Sequence, residues 1–340
     1  MAETVLVTGG SGFIAGWCIV ELVKRGYVVR TTVRSLAREA AVRATLAPQV
    51  DTHQNLSFFA ADLTSDTGWD EAVAGCDYVL HVASPLGTGQ EPRDRNALVA
   101  PARDGALRLL RAATKAGVKR VVLTSSVAAA SPILDSGDSL TDETLWTDLA
   151  DKNLNAYRVS KTMAEQAAWA FMAEQKSATT LATVLPSAVL GPVLSAEGLG
   201  SVQIVQRQLN GKMPGTPRIG FSVVDVRDVA DLHIRAMTSP AAAGQRFIAA
   251  GDYMWMADIA RTLRETLGAR AAKAPKRGLP DFVLRLMSIF DRDLKLVTPT
   301  LGHRHAFNAT KAQTMLGWTP RPATTAVLDC AESLIALKAV

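Results

Sequence analysis

The chain has 340 residues, 48% of them hydrophobic and 20% charged, a balance that excludes disordered and fibrous classes because enough apolar surface can leave water to build a core. Lys and Arg exceed Asp and Glu by 37 to 32, a net charge of +5. That surplus suits a small anionic ligand as readily as nucleic acid and does not by itself imply DNA binding. Cys18, Cys76 and Cys330 are odd in number and widely spaced, so neither a disulfide framework nor a metal cluster is expected, and a reducing, cytoplasmic setting is.

Residues 1–4 run directly into the apolar Val5-Leu6-Val7, too short a run for an export signal. No stretch approaches the roughly 18 uninterrupted apolar residues of a membrane span. Strand-like β-branched runs follow at 4–8, 27–33, 56–60, 78–82 and 121–124, separated by helix-length segments at 13–25, 96–116 and 155–173. The runs are almost continuously apolar, as strands of a parallel sheet covered on both faces should be. Residues 181–185 supply a sixth strand. The expected fold is α/β, a Rossmann-type doubly wound parallel sheet. Beyond Pro186 turn residues break the rhythm, and regular elements return as a helix at 226–237, a strand at 246–250 and a helix at 256–267. We therefore expect a nucleotide-binding domain over 1–190, with returning segments near 224–238 and 245–251. A smaller, interleaved substrate-binding lobe is expected mainly over 191–340.

The first strand leads at once into Gly9-Gly10-Ser11-Gly12-Phe13-Ile14-Ala15-Gly16 and then an apolar helix. A dinucleotide pyrophosphate needs a close, unhindered backbone and the positive end of a helix. Gly9, Gly12, Phe13 and Ile14, at the loop and the first helical turn, are the expected cofactor contacts. At the end of the second strand, where an NAD enzyme offers an acid to the ribose 2′-hydroxyl, the chain has Arg34, and no acid lies between Tyr27 and Arg38. A guanidinium can grip a 2′-phosphate bidentately, so NADP (NADPH) is the expected cofactor, with Arg38 as a second contact. Asp62 and Leu63, after the third strand, are placed to meet the adenine.

Tyr157 and Lys161 are four residues apart, on one face of the expected helix 155–173. An ammonium near a phenol favours the phenolate and lowers its pKa from about 10, which equips the pair for acid–base work. Thr124-Ser125-Ser126 puts hydroxyls at the carboxyl end of the fifth strand, the edge at which open α/β sheets bind ligands.

With these motifs in view, the sequence resembles the extended short-chain dehydrogenase/reductases. Within them it is most similar to the branch of dihydroflavonol reductases, cinnamoyl-CoA reductases and methylglyoxal (aldehyde) reductases. The likeness rests on the glycine loop, on Gly75-Cys76-Asp77-Tyr78-Val79-Leu80-His81-Val82-Ala83-Ser84-Pro85, on Thr124-Ser125-Ser126, on Tyr157-Arg158-Val159-Ser160-Lys161, on residues 185–192 and on residues 224–230; it spans nearly the whole chain. The resemblance implies a catalytic set of Ser126, Tyr157 and Lys161. It also implies cofactor contacts from Val82, Ala83, Ser84, Thr124, Pro186, Val189 and Ser201. Where the plant flavonoid enzymes carry a substrate-binding asparagine, five residues after the catalytic serine, this chain has Ser131, so Ser126, Ser131 and Tyr157 are the expected substrate contacts and a polyphenol is disfavoured.

The resulting expectation is an NADPH-dependent carbonyl reductase, reversible as an alcohol dehydrogenase, acting on a small aldehyde or ketone as a monomer or homodimer. Neither a nucleic acid nor a membrane partner is expected. A nucleotide-sugar epimerase or dehydratase would share the loop and the Tyr/Lys pair, but the dehydratases usually add an Asp-Glu pair directly after the strand-end hydroxyl, and here Val127-Ala128 follows Ser126. A non-catalytic NADP sensor is a further alternative, although such proteins tend to lose the tyrosine or the lysine. His81 is assigned a structural role, and His303 and His305 have no companion ligand for a metal.

Overall fold

The computed structural model describes residues 2–85, 94–133, 136–197, 200–290 and 292–340. In chain order the strands are β1 (Thr4–Val7), β2 (Val28–Val33), β3 (Leu56–Ala60), β4 (Tyr78–His81), β5 (Arg120–Thr124), β6 (Ser139–Thr141), β7 (Thr180–Pro186), β8 (Ala188–Leu190), β9 (Gly220–Asp225), β10 (Arg246–Ala249), β11 (Tyr253–Trp255) and β12 (His305–Phe307). The α-helices run α1 (Phe13–Lys24), α2 (Glu39–Leu46), α3 (Trp69–Val73), α4 (Val99–Lys115), α5 (Ala156–Glu174), α6 (Gln203–Leu209), α7 (Val226–Thr238), α8 (Met256–Leu267), α9 (Asp281–Met287), α10 (Arg292–Val297), α11 (Thr310–Leu316) and α12 (Ala323–Ala336).

Seven strands form one sheet in the order β10-β7-β5-β4-β1-β2-β3, with every pairing parallel. Helices α1 and α7 cover one face and α3, α4 and α5 the other, which is why β5 is buried along its whole length. Helix α1 is apolar on nearly all sides, burying Trp17, Cys18, Ile19, Val20 and Leu22, because it packs on the sheet with one side and against α7 with another. The strand order reverses between β1 and β4, so the chain leaves their carboxyl ends in opposite directions and opens a crevice there. Pro101 sits in the first turn of α4, where its missing N–H breaks no helical bond.

A smaller three-stranded sheet, β11-β9-β8, packs with α6, α8 and α12 around a second core that includes Leu190, Val205, Ile259, Leu263, Val327 and Cys330. The two bodies interleave. β7 lies in the large sheet and β8, only one residue further on, in the small one; α7 and β10 then return to the large sheet. All three cysteines are buried free thiols. Among the described residues no helix is long and apolar enough to cross a membrane.

Candidate active site

The chain leaves β1 through Thr8, whose hydroxyl accepts from Ala83 N–H at 3.0 Å and meets His81 Nδ1 at 2.9 Å. One hydroxyl thus ties the ends of β1 and β4 together beneath the loop. Burial, aided by the Lys161 charge, pushes His81 down to about 3, so this imidazole is neutral beside the Thr8 hydroxyl. Gly9 has φ +74° and a Cβ there would stand 3.1 Å from the Cα of Ala83. A Cβ on Gly10 would fall 2.3 Å from Thr31 Oγ1. Glycine at both positions therefore lets the loop lie flat against Thr31 of β2 and against Ala83 just past β4. Gly12 then opens α1 with no side-chain cap and no acid in the first turn, leaving unpaired N–H groups and the positive end of the helix directed at the crevice.

The crevice deepens into a cleft of about 1200 Å³. Gly9, Gly12, Phe13 and Ile14 line one end, beside Arg34, Arg38, Asp62 and Leu63 from the ends of β2 and β3. Arg34 is exposed, whereas Arg38 pairs with Glu197 at 2.5 Å. The Asp62 carboxylate accepts both from Thr64 N–H at 2.8 Å and from Thr64 Oγ1 at 2.6 Å, and these bonds hold it below the usual carboxylate range. Val82, Ala83 and Ser84 line the cleft past β4, and Pro186, Val189 and Ser201 line it from the end of β7 onward, the Ser201 hydroxyl donating to the Val189 carbonyl at 2.8 Å.

Thr124, Ser126, Tyr157 and Lys161 close the other end. Asn155 caps α5 by accepting from Arg158 N–H at 2.9 Å, which starts the helix one residue before Tyr157. Lys161 Nζ donates to the Thr124 carbonyl at 3.1 Å and lies 6.0 Å from the centre of the Tyr157 ring. Thr124 Oγ1 is in turn 2.7 Å from His233 Nε2. Ser126 Oγ accepts from Ala128 N–H at 3.1 Å. The expected lowering of the phenol by the ammonium is not met in the chain by itself. Burial raises the Tyr157 pKa, a hydrogen bond with Ser126 works against it, and the Lys161 ammonium, turned to the Thr124 carbonyl, is itself pushed down to about 8 by burial.

Ser131 is the one expected contact that the cleft does not contain. Its hydroxyl donates to the Val127 carbonyl and its N–H to Thr147 Oγ1, each at 2.8 Å, and the residue is buried. The turn after Ser126 folds it back onto its own backbone. Conversely, sequence reasoning passed over Trp69, Glu197, Ile204 and Phe221, which line the cleft, and the buried Glu165 and Arg246 behind it. Glu165 had a readable signal, since it follows Lys161 by four residues on the same helix face.

A family model described as the NAD dependent epimerase/dehydratase family matches residues 5–250. The anthocyanidin reductase ((2S)-flavan-3-ol-forming) of Vitis vinifera is 33% identical over 265 residues, covering 74% of this chain and 77% of that protein. A cinnamoyl-CoA reductase of Medicago truncatula is 36% identical over 275 residues, covering 78% of this chain and 81% of its own length. Among solved structures, Gre2 of Candida albicans in complex with NADPH superposes with a TM-score of 0.81 at 25% identity, over 98% of this chain and 99% of that one.

Proposed function

This chain belongs to the NAD dependent epimerase/dehydratase family, and we propose that within it the protein works as an NADPH-dependent carbonyl reductase, converting an aldehyde or ketone to the alcohol and running in reverse as an alcohol dehydrogenase. Its reductase relatives mark it as an NAD(P)-dependent oxidoreductase. The observation that carries the finer reading is the meeting of Ser126, Tyr157 and Lys161 in the same cleft that begins at the uncapped glycine loop.

The residues suit the cofactor. The loop leaves no room for side chains against Thr31 and Ala83, the α1 N-terminus is uncapped and suits a pyrophosphate, and exposed Arg34 in the cleft lining offers a guanidinium to a 2′-phosphate. A reduced nicotinamide held there would supply hydride for the carbonyl carbon. Tyr157 gives its phenolic proton to the carbonyl oxygen as negative charge develops on it, and Ser126 donates a hydrogen bond to the same oxygen. Lys161, anchored on Thr124, would hold the nicotinamide ribose and lend the phenol a positive neighbour in the loaded site. The second sheet and its helices form the substrate lobe in this reading. Ile204 and Phe221 present apolar surface to the cleft, and Ser131 offers it no hydroxyl, which favours a simple carbonyl over a polyhydroxylated one.

The test is a panel of aldehydes and ketones assayed with NADPH and NADH in parallel, on wild type and on Tyr157→Phe. Loss of the proton donor should lower kcat by about 100-fold or more while NADPH binding persists. Wild-type turnover by Tyr157→Phe would overturn the mechanism.

A further inference from the structure

One carboxylate in the interior, on the helix that carries Tyr157 and Lys161, is bonded to the corner after β5 that carries Ser126 and to β7 and β10 beyond it. The Glu165 side chain on α5 has 0% exposure. Its Oε1 accepts from Thr183 Oγ1 of β7 at 2.7 Å and from Arg246 Nε of β10 at 2.8 Å. Its Oε2 accepts from Ser125 Oγ at 2.6 Å and from Arg246 NH2 at 3.2 Å. Trp169 Nε1 adds a longer bond of 3.3 Å to Oε1. Arg246 also donates to the carbonyls of Glu143 at 2.6 Å and Leu145 at 3.0 Å, and lies 3.7 Å from the centre of the Trp146 ring. A buried pair of this kind adds little stability, because desolvation offsets the Coulombic gain. What it supplies is a single geometry.

We propose that Glu165, gripped by Arg246, is a positioning residue of the active site: it holds the Ser125–Ser126 corner after β5 against the Tyr157–Lys161 face of α5. The role rests on the carbonyl-reductase reading above. Ser126 is extended, with φ −164° and ψ 154°, and in extended backbone successive side chains point to opposite sides. Anchoring the Ser125 hydroxyl inward on Glu165 therefore turns the Ser126 hydroxyl outward, toward Tyr157. The same carboxylate is the counter-charge that opposes the loss of the Lys161 proton. The titratable and charged groups around Lys161 are Tyr157 and Glu165 from its own helix, His81 from β4 and, behind Glu165, Arg246 from β10.

Ser125→Ala and Thr183→Val each remove one hydroxyl donor from Glu165, but only the first releases the catalytic corner. A purely structural carboxylate predicts equal effects of the two. Positioning predicts that Ser125→Ala lowers kcat for carbonyl reduction by about tenfold with the Kd for NADPH unchanged, while Thr183→Val, at a similar loss of melting temperature, keeps kcat within about twofold. Glu165→Gln, which removes the counter-charge, should also move the alkaline limb of the kcat profile to lower pH. Equal kcat in the two hydroxyl variants of an active enzyme overturns this role alone. A wild type that binds NADPH and turns over no carbonyl would overturn the reductase reading and this role with it.

Discussion

Arg38 and Glu197 bridge the mouth of the cleft, with NH2 of the first 2.5 Å from Oε2 of the second. Both side chains are largely exposed, 48% and 69%, so the pair is worth at most about 1 kcal/mol and is screened by salt. It nevertheless sets a carboxylate beside the arginines expected to meet a 2′-phosphate. Glu197→Gln should therefore tighten NADPH, by up to about fivefold at low salt, and NADH less. Fluorescence titration of the two dinucleotides at low and high salt checks this, and weaker NADPH binding by the variant would refute it.

Arg34 stands just past the end of β2 with no acid between Tyr27 and Arg38, and its charge is among those that help hold the Asp62 carboxyl low. A charged hydrogen bond to phosphate contributes about 1.5–3 kcal/mol. Arg34→Ala should raise KM for NADPH by about 10- to 100-fold and leave KM for NADH nearly unchanged. Equal losses with both coenzymes would place the arginine elsewhere in the mechanism.

Gly10 has no space for a side chain. A Cβ would meet Thr31 at Oγ1, Cγ2 and Cβ, at 2.3, 3.0 and 3.2 Å, so a rotation of that side chain would still leave its Cβ tight, and would break the bond from Thr31 Oγ1 to the Val7 carbonyl at 2.8 Å. Gly10→Ala should lower stability by about 1–3 kcal/mol, the usual range for overpacking, visible as a reduced melting temperature even without coenzyme. An unchanged melting temperature would mean that the loop relaxes freely.

Two buried imidazoles set an acid limit. Burial takes His81 down to about 3 and His233 down to about 4 from an ordinary 6.5. Below pH 6.5 the unfolded chain binds protons that the folded chain refuses, so stability falls as pH drops from about 6.5 toward 4. The cost at pH 5 is about 2 kcal/mol for each group. Replacing His233 by Gln, which can still accept from Thr124, should flatten part of the loss in melting temperature between pH 7 and pH 5. A variant with the same slope as wild type would exclude this source.

The large sheet was legible because each of its strands is a short apolar run between covering helices; residues 56–60 and the helix at 256–267 match the structure end to end. The short elements were not. α3 is only 5 residues long and its burial depends on Trp69 packing under α4, a tertiary fact with no periodic trace in so brief a segment. β8, β9 and β11 become a sheet through their pairing with one another across some 65 residues of chain. The glycine loop and the strand-end hydroxyls that line the cleft are local motifs, whereas Ile204 and Phe221 reach it through elements of the second body. Ser131 was misplaced for the converse reason: its position after Ser126 is local, but the direction of its hydroxyl is set by the turn ending at Ala129.

Phe13, the first residue of α1, is packed against both hydrophobic cores at once. Four residues on, Trp17 donates its indole N–H to the Pro192 carbonyl at 2.8 Å, just past β8. The helix that begins at the glycine loop is thus also a seam of the molecule: a parting of the two bodies to admit a substrate would have to strip this aromatic ring from one core or the other, so the loop and the second body are mechanically coupled.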